Sequence, residues 1–223
     1  MEDAPSYSPE PARARTPVRR ADPSVRREQI VREAMRCFAE KGFRGTTTRE
    51  LAARIGITEA ALYHYFPSKE ALYGAIIDSK MSAPTLAEVL AEPARRGDDR
   101  GVFGTLARIV LERGASDPDF MRILTFTALE GHELAEPFFA ARVRTLREFI
   151  AGYIERRIAE GAFRRVDPAL AARAFFGMVF DHLSVRSVFK QDVSQHPIDE
   201  VVDTYVSIFL GGMQPREKTD VGR

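Results

Sequence analysis

The chain has 223 residues, 44% of them hydrophobic and 29% charged, and its formal net charge of +1 does not by itself point to a polyanionic partner. A single cysteine, Cys37, excludes an intrachain disulfide and a cysteine-built metal cage. The polar, Pro-rich start lacks the apolar stretch of a signal peptide and no apolar run approaches the roughly 18 residues of a membrane span, so the expected location is cytoplasmic, with no membrane partner.

The distribution of charge says more than its total. Between Arg13 and Leu72 there are 13 Lys/Arg against 7 Asp/Glu, whereas residues 1–12 and 73–223 are each net acidic. A phosphate-neutralising surface needs such a local excess. Residues 1–23 hold Pro5, Pro9, Pro11, Pro17 and Pro23, too many for a helix, with too little apolar content for a core. They read as a disordered basic arm. It is either a plain solvated tail or, through Arg13, Arg15, Arg19 and Arg20, an arm that follows a phosphate backbone or enters a minor groove.

Ser24 is placed to cap a first helix, Val25 to Lys41, with Gly42 as its stop. Ile30, Ala34, Cys37 and Phe38 recur at helical spacing, which makes Cys37 a small buried residue rather than a redox switch. Thr47 or Thr48 caps a second helix, Arg49 to Ile55, which Gly56 ends. Thr58 caps a third, Glu59 to about Phe66, where Leu62 and Phe66 face inward at i, i+4. On its outer side Ala60 and Ala61 leave a smooth surface, and Tyr63, His64 and Tyr65 offer polar-tipped aromatics. Two short helices joined by a tight turn, the second with little core to fill, suit a groove of DNA.

A fourth helix is expected from Ser68 through Met81, bending near Pro84 and continuing to Leu90, followed by a loop over Pro93 to Asp99. Further helices are expected at Gly101–Arg113, Pro118–Gly131, Leu134–Glu160, Pro168–Phe189 and Ile198–Leu210, with breaks at Gly114, Asp117, Gly161, Asp167 and Pro197. There is no useful β alternation and no internal repeat. The predicted class is all-α, with a helix-turn-helix domain at 24–72, an effector-binding and dimerisation domain at 73–212 and a flexible tail at 213–223. The last two helices are apolar on most of their circumference, Phe175 to Val188 in one and Val201 to Phe209 in the other. Such helices must be covered on both sides, and pairing with a second copy as a four-helix bundle does this most simply.

Gly42-Phe43, Thr46-Thr47, Leu51-Ala52, Gly56-Ile57-Thr58, Leu62-Tyr63-His64-Tyr65-Phe66 and Ser68-Lys69-Glu70-Ala71-Leu72 closely resemble the N-terminal domain of TetR-type transcriptional regulators. The resemblance covers about Arg27 to Asp78 and implies a homodimer on double-stranded DNA with a pseudo-palindromic operator, controlled by a small-molecule effector. It also implies DNA contacts at Thr47, Thr48, Arg49, Thr58, Glu59, Ala60, Ala61, Tyr63, His64, Tyr65 and Lys69, with Lys69 on the phosphate backbone. Glu59 is unusual beside a polyanion and is able to accept from cytosine N4. For the effector, an apolar pocket between helices four and eight is expected. Its candidate lining is Phe103, Leu106, Leu124, Phe126, Phe138, Phe139, Phe175 and Met178, suited to a hydrophobic molecule or an acyl chain; plain core packing accounts for the same residues.

The alternatives are a constitutive DNA-binding protein or activator, and a metal-dependent enzyme. His132-Glu133-Leu134-Ala135-Glu136 has the first half of the H-E-x-x-H zinc pattern, but Glu136 stands where the second histidine belongs. Asp181 and His182 are the residues that could complete a polar or metal site with it. No nucleophile motif, Walker loop or dinucleotide fingerprint is present, so no enzyme activity and no cofactor is expected.

Overall fold

The computed structural model describes residues 22–81, 84–131, 133–189 and 196–215. Positions 1–21 of the expected arm and 216–223 of the expected tail lie outside them. All regular structure among the described residues is helical.

The first helix starts two residues earlier than its sequence signal. Asp22, not Ser24, is the cap: its Oδ1 accepts from the Ser24 N–H at 2.9 Å, and Pro23 takes the first position of α1 (Pro23–Lys41). Helices α2 (Thr48–Ile55), α3 (Glu59–Tyr65) and α4 (Lys69–Met81) follow at the expected places. Cys37 is 1% exposed, and burial pushes its thiol up, which keeps it unreactive.

Helix four does not bend through Pro84. It ends at Met81, and Thr85 begins α5 (Leu86–Arg95) with a reciprocal cap. The Glu88 N–H donates to Thr85 Oγ1 at 3.2 Å while the Thr85 N–H donates to the Glu88 carboxylate at 2.9 Å. Pro93, expected to open a loop, lies inside α5. Gly114, expected as a break, is buried inside α6 (Asp99–Ser116), where a Cβ would collide with Leu183 of the tenth helix. A glycine here permits the two helices to approach closely.

After α7 (Pro118–Glu130) the expected single helix from Leu134 is broken into pieces. A 3-10 turn at Glu133–Ala135, the one-turn α8 (Glu136–Phe138) and a π-helical stretch at Phe139–Arg144 precede α9 (Thr145–Ala159). Pro137 sits in this segment and cannot donate a backbone hydrogen bond. The chain ends in α10 (Pro168–Ser187) and α11 (Ile198–Met213).

Two cores form. One gathers Ile30, Ala34 and Phe38 of α1, Leu51 and Ile55 of α2, Leu62 of α3, Phe66, and Leu72, Tyr73, Ile76 and Ile77 of α4. Phe120, Ile123 and Leu124 of α7 belong to the same core, so the first hydrophobic unit extends past residue 72 and includes a helix distant in sequence. The other core lies among α5, α6, α9, α10 and α11, with α6 against both α10 and α11. Arg157 of α9 donates twice to Asp99, at 2.9 Å each, and fixes α9 to the start of α6.

Candidate nucleic-acid interface

The turn that carries the interface is fixed by caps. Thr47 Oγ1 accepts from the Glu50 N–H at 3.2 Å and starts α2; Thr58 Oγ1 accepts from the Ala61 N–H at 3.1 Å and starts α3. Between them Gly56 adopts φ 74°, a left-handed conformation that ends α2 and re-aims the chain. Leu62 and Phe66 are 2% and 3% exposed, so one stripe of α3 is anchored in the core. The opposite side is thereby turned outward: Glu59, Ala60, Tyr63 and His64 are exposed, and Ala61 is half-buried. Tyr65 differs from its neighbours. It is half-buried, packs against the first core, and meets His64 edge-on at 5.7 Å between ring centres.

Beside α3 lies a polar notch of about 470 Å³. Thr47 and Thr48 at the start of α2, Ser68, Lys69 and the acidic Glu70 at the start of α4, and Arg44 and Tyr63 line it. Ser68 Oγ caps α4 by accepting from the Ala71 N–H at 3.1 Å. Two helix N-termini thus open on one concavity, where their partial positive charge favours an anion. The cations around it fall into two groups. Lys41 pairs with Glu50, and Arg54 makes a double hydrogen bond to Glu40 at 2.5 and 2.7 Å. Arg49 is exposed, and among the described residues no ion pair is recorded for Arg44 or Arg49.

Lys69 is engaged differently from the resemblance's implication. Its Nζ donates to the Phe43 and Thr46 carbonyls at 2.8 and 2.9 Å and lies 4.3 Å from the centre of the Phe43 ring. Two of its three donors therefore hold the α1–α2 turn, leaving one for a phosphate. Lys69→Met is expected to cost about 1.5–3 kcal/mol of stability, because it strips charged donors from two carbonyls in a packed turn. Chemical denaturation checks this; an unchanged midpoint would reduce Lys69 to a surface cation.

A second set of residues, absent from the sequence-based expectations, ties this unit to the rest of the chain. Tyr73 of α4 donates to Thr127 Oγ1 of α7, and Thr127 in turn donates to the Ile123 carbonyl at 2.8 Å. Both side chains are almost wholly buried, and burial pushes the Tyr73 hydroxyl up. At the end of α7 the Glu130 carboxylate accepts from the Arg44 N–H at 3.3 Å and lies against Gly42. Arg142 donates to the Met81 carbonyl at the far end of α4.

Seven of the eight residues expected to line an effector pocket divide between the two cores. Phe103, Leu106 and Phe175 are buried in the second, where Phe103 and Phe175 pack at 4.9 Å and both meet Phe209, at 4.7 and 5.0 Å. Leu124 is buried in the first core, and Phe138 and Phe139 pack on its edge. Phe126 lies beside Gly42. Met178 lines a shallow apolar cleft of about 530 Å³ between α10 and α11, with Leu170, Ala174 and Ile208. Helical spacing identified apolar sides correctly, but not which core each side faced.

Of the residues considered for a metal, Glu136 pairs with Arg144 at 2.6 Å and His132 lies outside the described residues. Among the described residues no group of three or more His, Cys, Asp or Glu could hold a metal ion. His182 is half-buried beside Tyr205, and burial pushes its imidazole down. No helix is long and apolar enough to cross a membrane among the described residues.

Residues 30–76 match the family described as bacterial regulatory proteins, tetR family, and residues 103–212 match the C-terminal domain described as that of AefR-like transcriptional repressors. The chain belongs to the TetR family. TetR-family proteins are DNA-binding transcriptional regulators, a class distinct from enzymes. Among relatives, the nucleoid occlusion factor SlmA of Citrobacter koseri is 30% identical over 176 residues, covering 74% of this chain and 85% of that one. The HTH-type transcriptional repressor AcnR of Corynebacterium diphtheriae is 42% identical over 69 residues, which span 31% of this chain and only 35% of AcnR. Of solved structures, AibR in complex with isovaleryl coenzyme A and operator DNA has a TM-score of 0.58 at 25% identity, covering 82% of this chain and 97% of that one.

Proposed function

We propose that this TetR-family regulator is a repressor that binds a pseudo-palindromic operator as a homodimer and leaves it when a hydrophobic effector binds. The observation that carries the DNA half is the notch between the N-termini of α2 and α4, beside the exposed outer side of α3. In this reading a phosphate sits in the notch against Thr47, Arg44 and the remaining Lys69 donor. Thr58 caps α3 so that Glu59, Ala60, Ala61 and His64 meet base edges, while Tyr65 serves the core more than the groove. Phosphate contacts set register and base contacts set sequence.

The dimer reading rests on Leu170, Phe180 and Ile208, which are 63%, 54% and 62% exposed on α10 and α11. Apolar side chains this open, beside an apolar cleft, call for a covering surface. Symmetric pairing sets the two α3 helices about 34–36 Å apart, or a multiple of that.

The effector half is supported by AibR, which has been captured with an acyl-coenzyme A and DNA. An apolar acyl group suits the half-buried Phe138 and Phe139 beside Phe120 better than the fully buried ring cluster of the second core. The lever is α7 as much as α4. It shares a core with the helix-turn-helix and grips it through Tyr73–Thr127 and Glu130–Arg44. A ligand that displaced α7 would change the spacing of the two α3 helices, provided it binds that arrangement more tightly.

The test is selection of bound DNA from a random pool, followed by challenge of the complex with acyl-coenzyme A esters of increasing chain length. Enrichment of a palindrome that one chain-length class releases supports the whole reading. If none weakens the complex, the effector half fails. On the selected site, Arg49→Ala is expected to cost about 1–3 kcal/mol and relax one base position. Gel-shift titration against single-base operator variants measures this. The likeness to SlmA favours a second reading, a DNA-bound factor acting in nucleoid occlusion. Chromosomal mapping separates them: sites confined to promoters favour the regulator, and sites dispersed over the chromosome favour the other.

A further inference from the structure

Glu59 is an acidic group at the centre of a face proposed to meet a polyanion, and it is not neutralised by a neighbour. Among the described residues no ion pair is recorded for it, and its side chain is exposed at the first position of α3. It is nevertheless held in place. The Thr48 hydroxyl donates to Glu59 Oε1 at 2.8 Å, and the Tyr63 hydroxyl donates to Thr48 Oγ1 at 3.4 Å. The two hydroxyls are aligned so that their protons run toward the carboxylate, which leaves its other oxygen as an acceptor.

A carboxylate brought against DNA is repelled by phosphates unless a donor receives it. It accepts only, and the major groove offers it two donors, the amino groups of cytosine N4 and adenine N6. Adenine places its N7 acceptor beside that amino group, opposing the second carboxylate oxygen, whereas the outer edge of cytosine carries no such acceptor. Exposed Ala60 next to it adds no bulk that would hold α3 away from the groove floor.

We propose that Glu59 is a specificity-determining residue that selects a cytosine in each operator half-site by accepting from its N4 amino group, with Thr48 as its positioning residue. This rests on the DNA-binding reading above. It predicts that the acid at position 59 chooses a base and contributes little to generic affinity.

The experiment is selection from a random DNA pool by full-length wild type, Glu59→Gln and Thr48→Val, with salt-dependent titration of each. Wild type is expected to fix a cytosine at one position per half-site. Glu59→Gln is expected to lose about tenfold in preference for that cytosine and to shift toward adenine, which an amide reads through N6 and N7. Thr48→Val is expected to weaken the same preference with Glu59 intact and with the salt slope unchanged. If Glu59→Gln enriches the same bases as wild type at every position, the inference is overturned while the DNA-binding reading stands. If wild type enriches no sequence at all, both fall together.

Discussion

Ile208→Asp is expected to convert the protein to monomers and to lower its affinity for a two-half-site operator by about 10²–10⁴, the gain that linkage of two binding modules provides. Ile208 is 62% exposed, so the substitution removes little from the core of its own subunit. In a dimer packed through α10 and α11 it would bury carboxylates in an apolar interface, which is costly without a partner for each charge. Small residues surround the site: Ala174 and Gly177 on α10, and Gly211 and Gly212 on α11, lie exposed on the same side and would admit a close helix pair. Sedimentation and gel-shift titration measure the two effects. A variant that stays dimeric, with unchanged operator affinity, places the interface elsewhere.

Phe103→Ala is expected to cost about 3–5 kcal/mol of folding stability, the usual loss when a fully buried ring is removed from a packed core. Phe103 is 0% exposed and is the hub of a cluster with Phe175, Phe209 and Tyr153. If instead Phe103 lined an open effector pocket, truncation would enlarge an existing space and cost far less. Urea denaturation separates the two outcomes. A loss under about 1 kcal/mol would return the pocket to the second core.

Some of this architecture is written locally. The caps Thr47 and Thr58, the stop at Gly56 and the inward pair Leu62 and Phe66 are all set by residues within a turn of where they act. Such signals survive folding, and the helix-turn-helix was legible from them. The all-α class was legible for the same reason. What was not legible depends on which helix meets which. The spacing of Phe120, Ile123 and Leu124 marks one apolar side of α7, but nothing local says that this side joins α1 and α4 rather than α6. The same gap scattered the expected pocket residues over two cores.

The structural task of Lys69 was hidden for a related reason. As a cation at the start of a helix beside a basic surface it reads as a phosphate contact. Its real neighbours are carbonyls 26 and 23 positions earlier in the chain, brought under it by the α1–α2 turn. Tyr73 offered one clue in retrospect: a hydroxyl on the apolar side of α4 needs a buried partner, and Thr127 supplies it. The break at Glu133–Arg144 had a local signal too, in Pro137, which cannot donate a backbone hydrogen bond to a continuing helix.

A symmetric pair of Thr46–Lys69 units is expected to read DNA, and hydroxyl-radical footprinting on a selected operator measures this. Two protected patches on one face of the duplex, about one helical turn apart and both lost in Ile208→Asp, are the predicted result. A single asymmetric patch, or a footprint unchanged by alanine at both Arg49 and Tyr63, would contradict it.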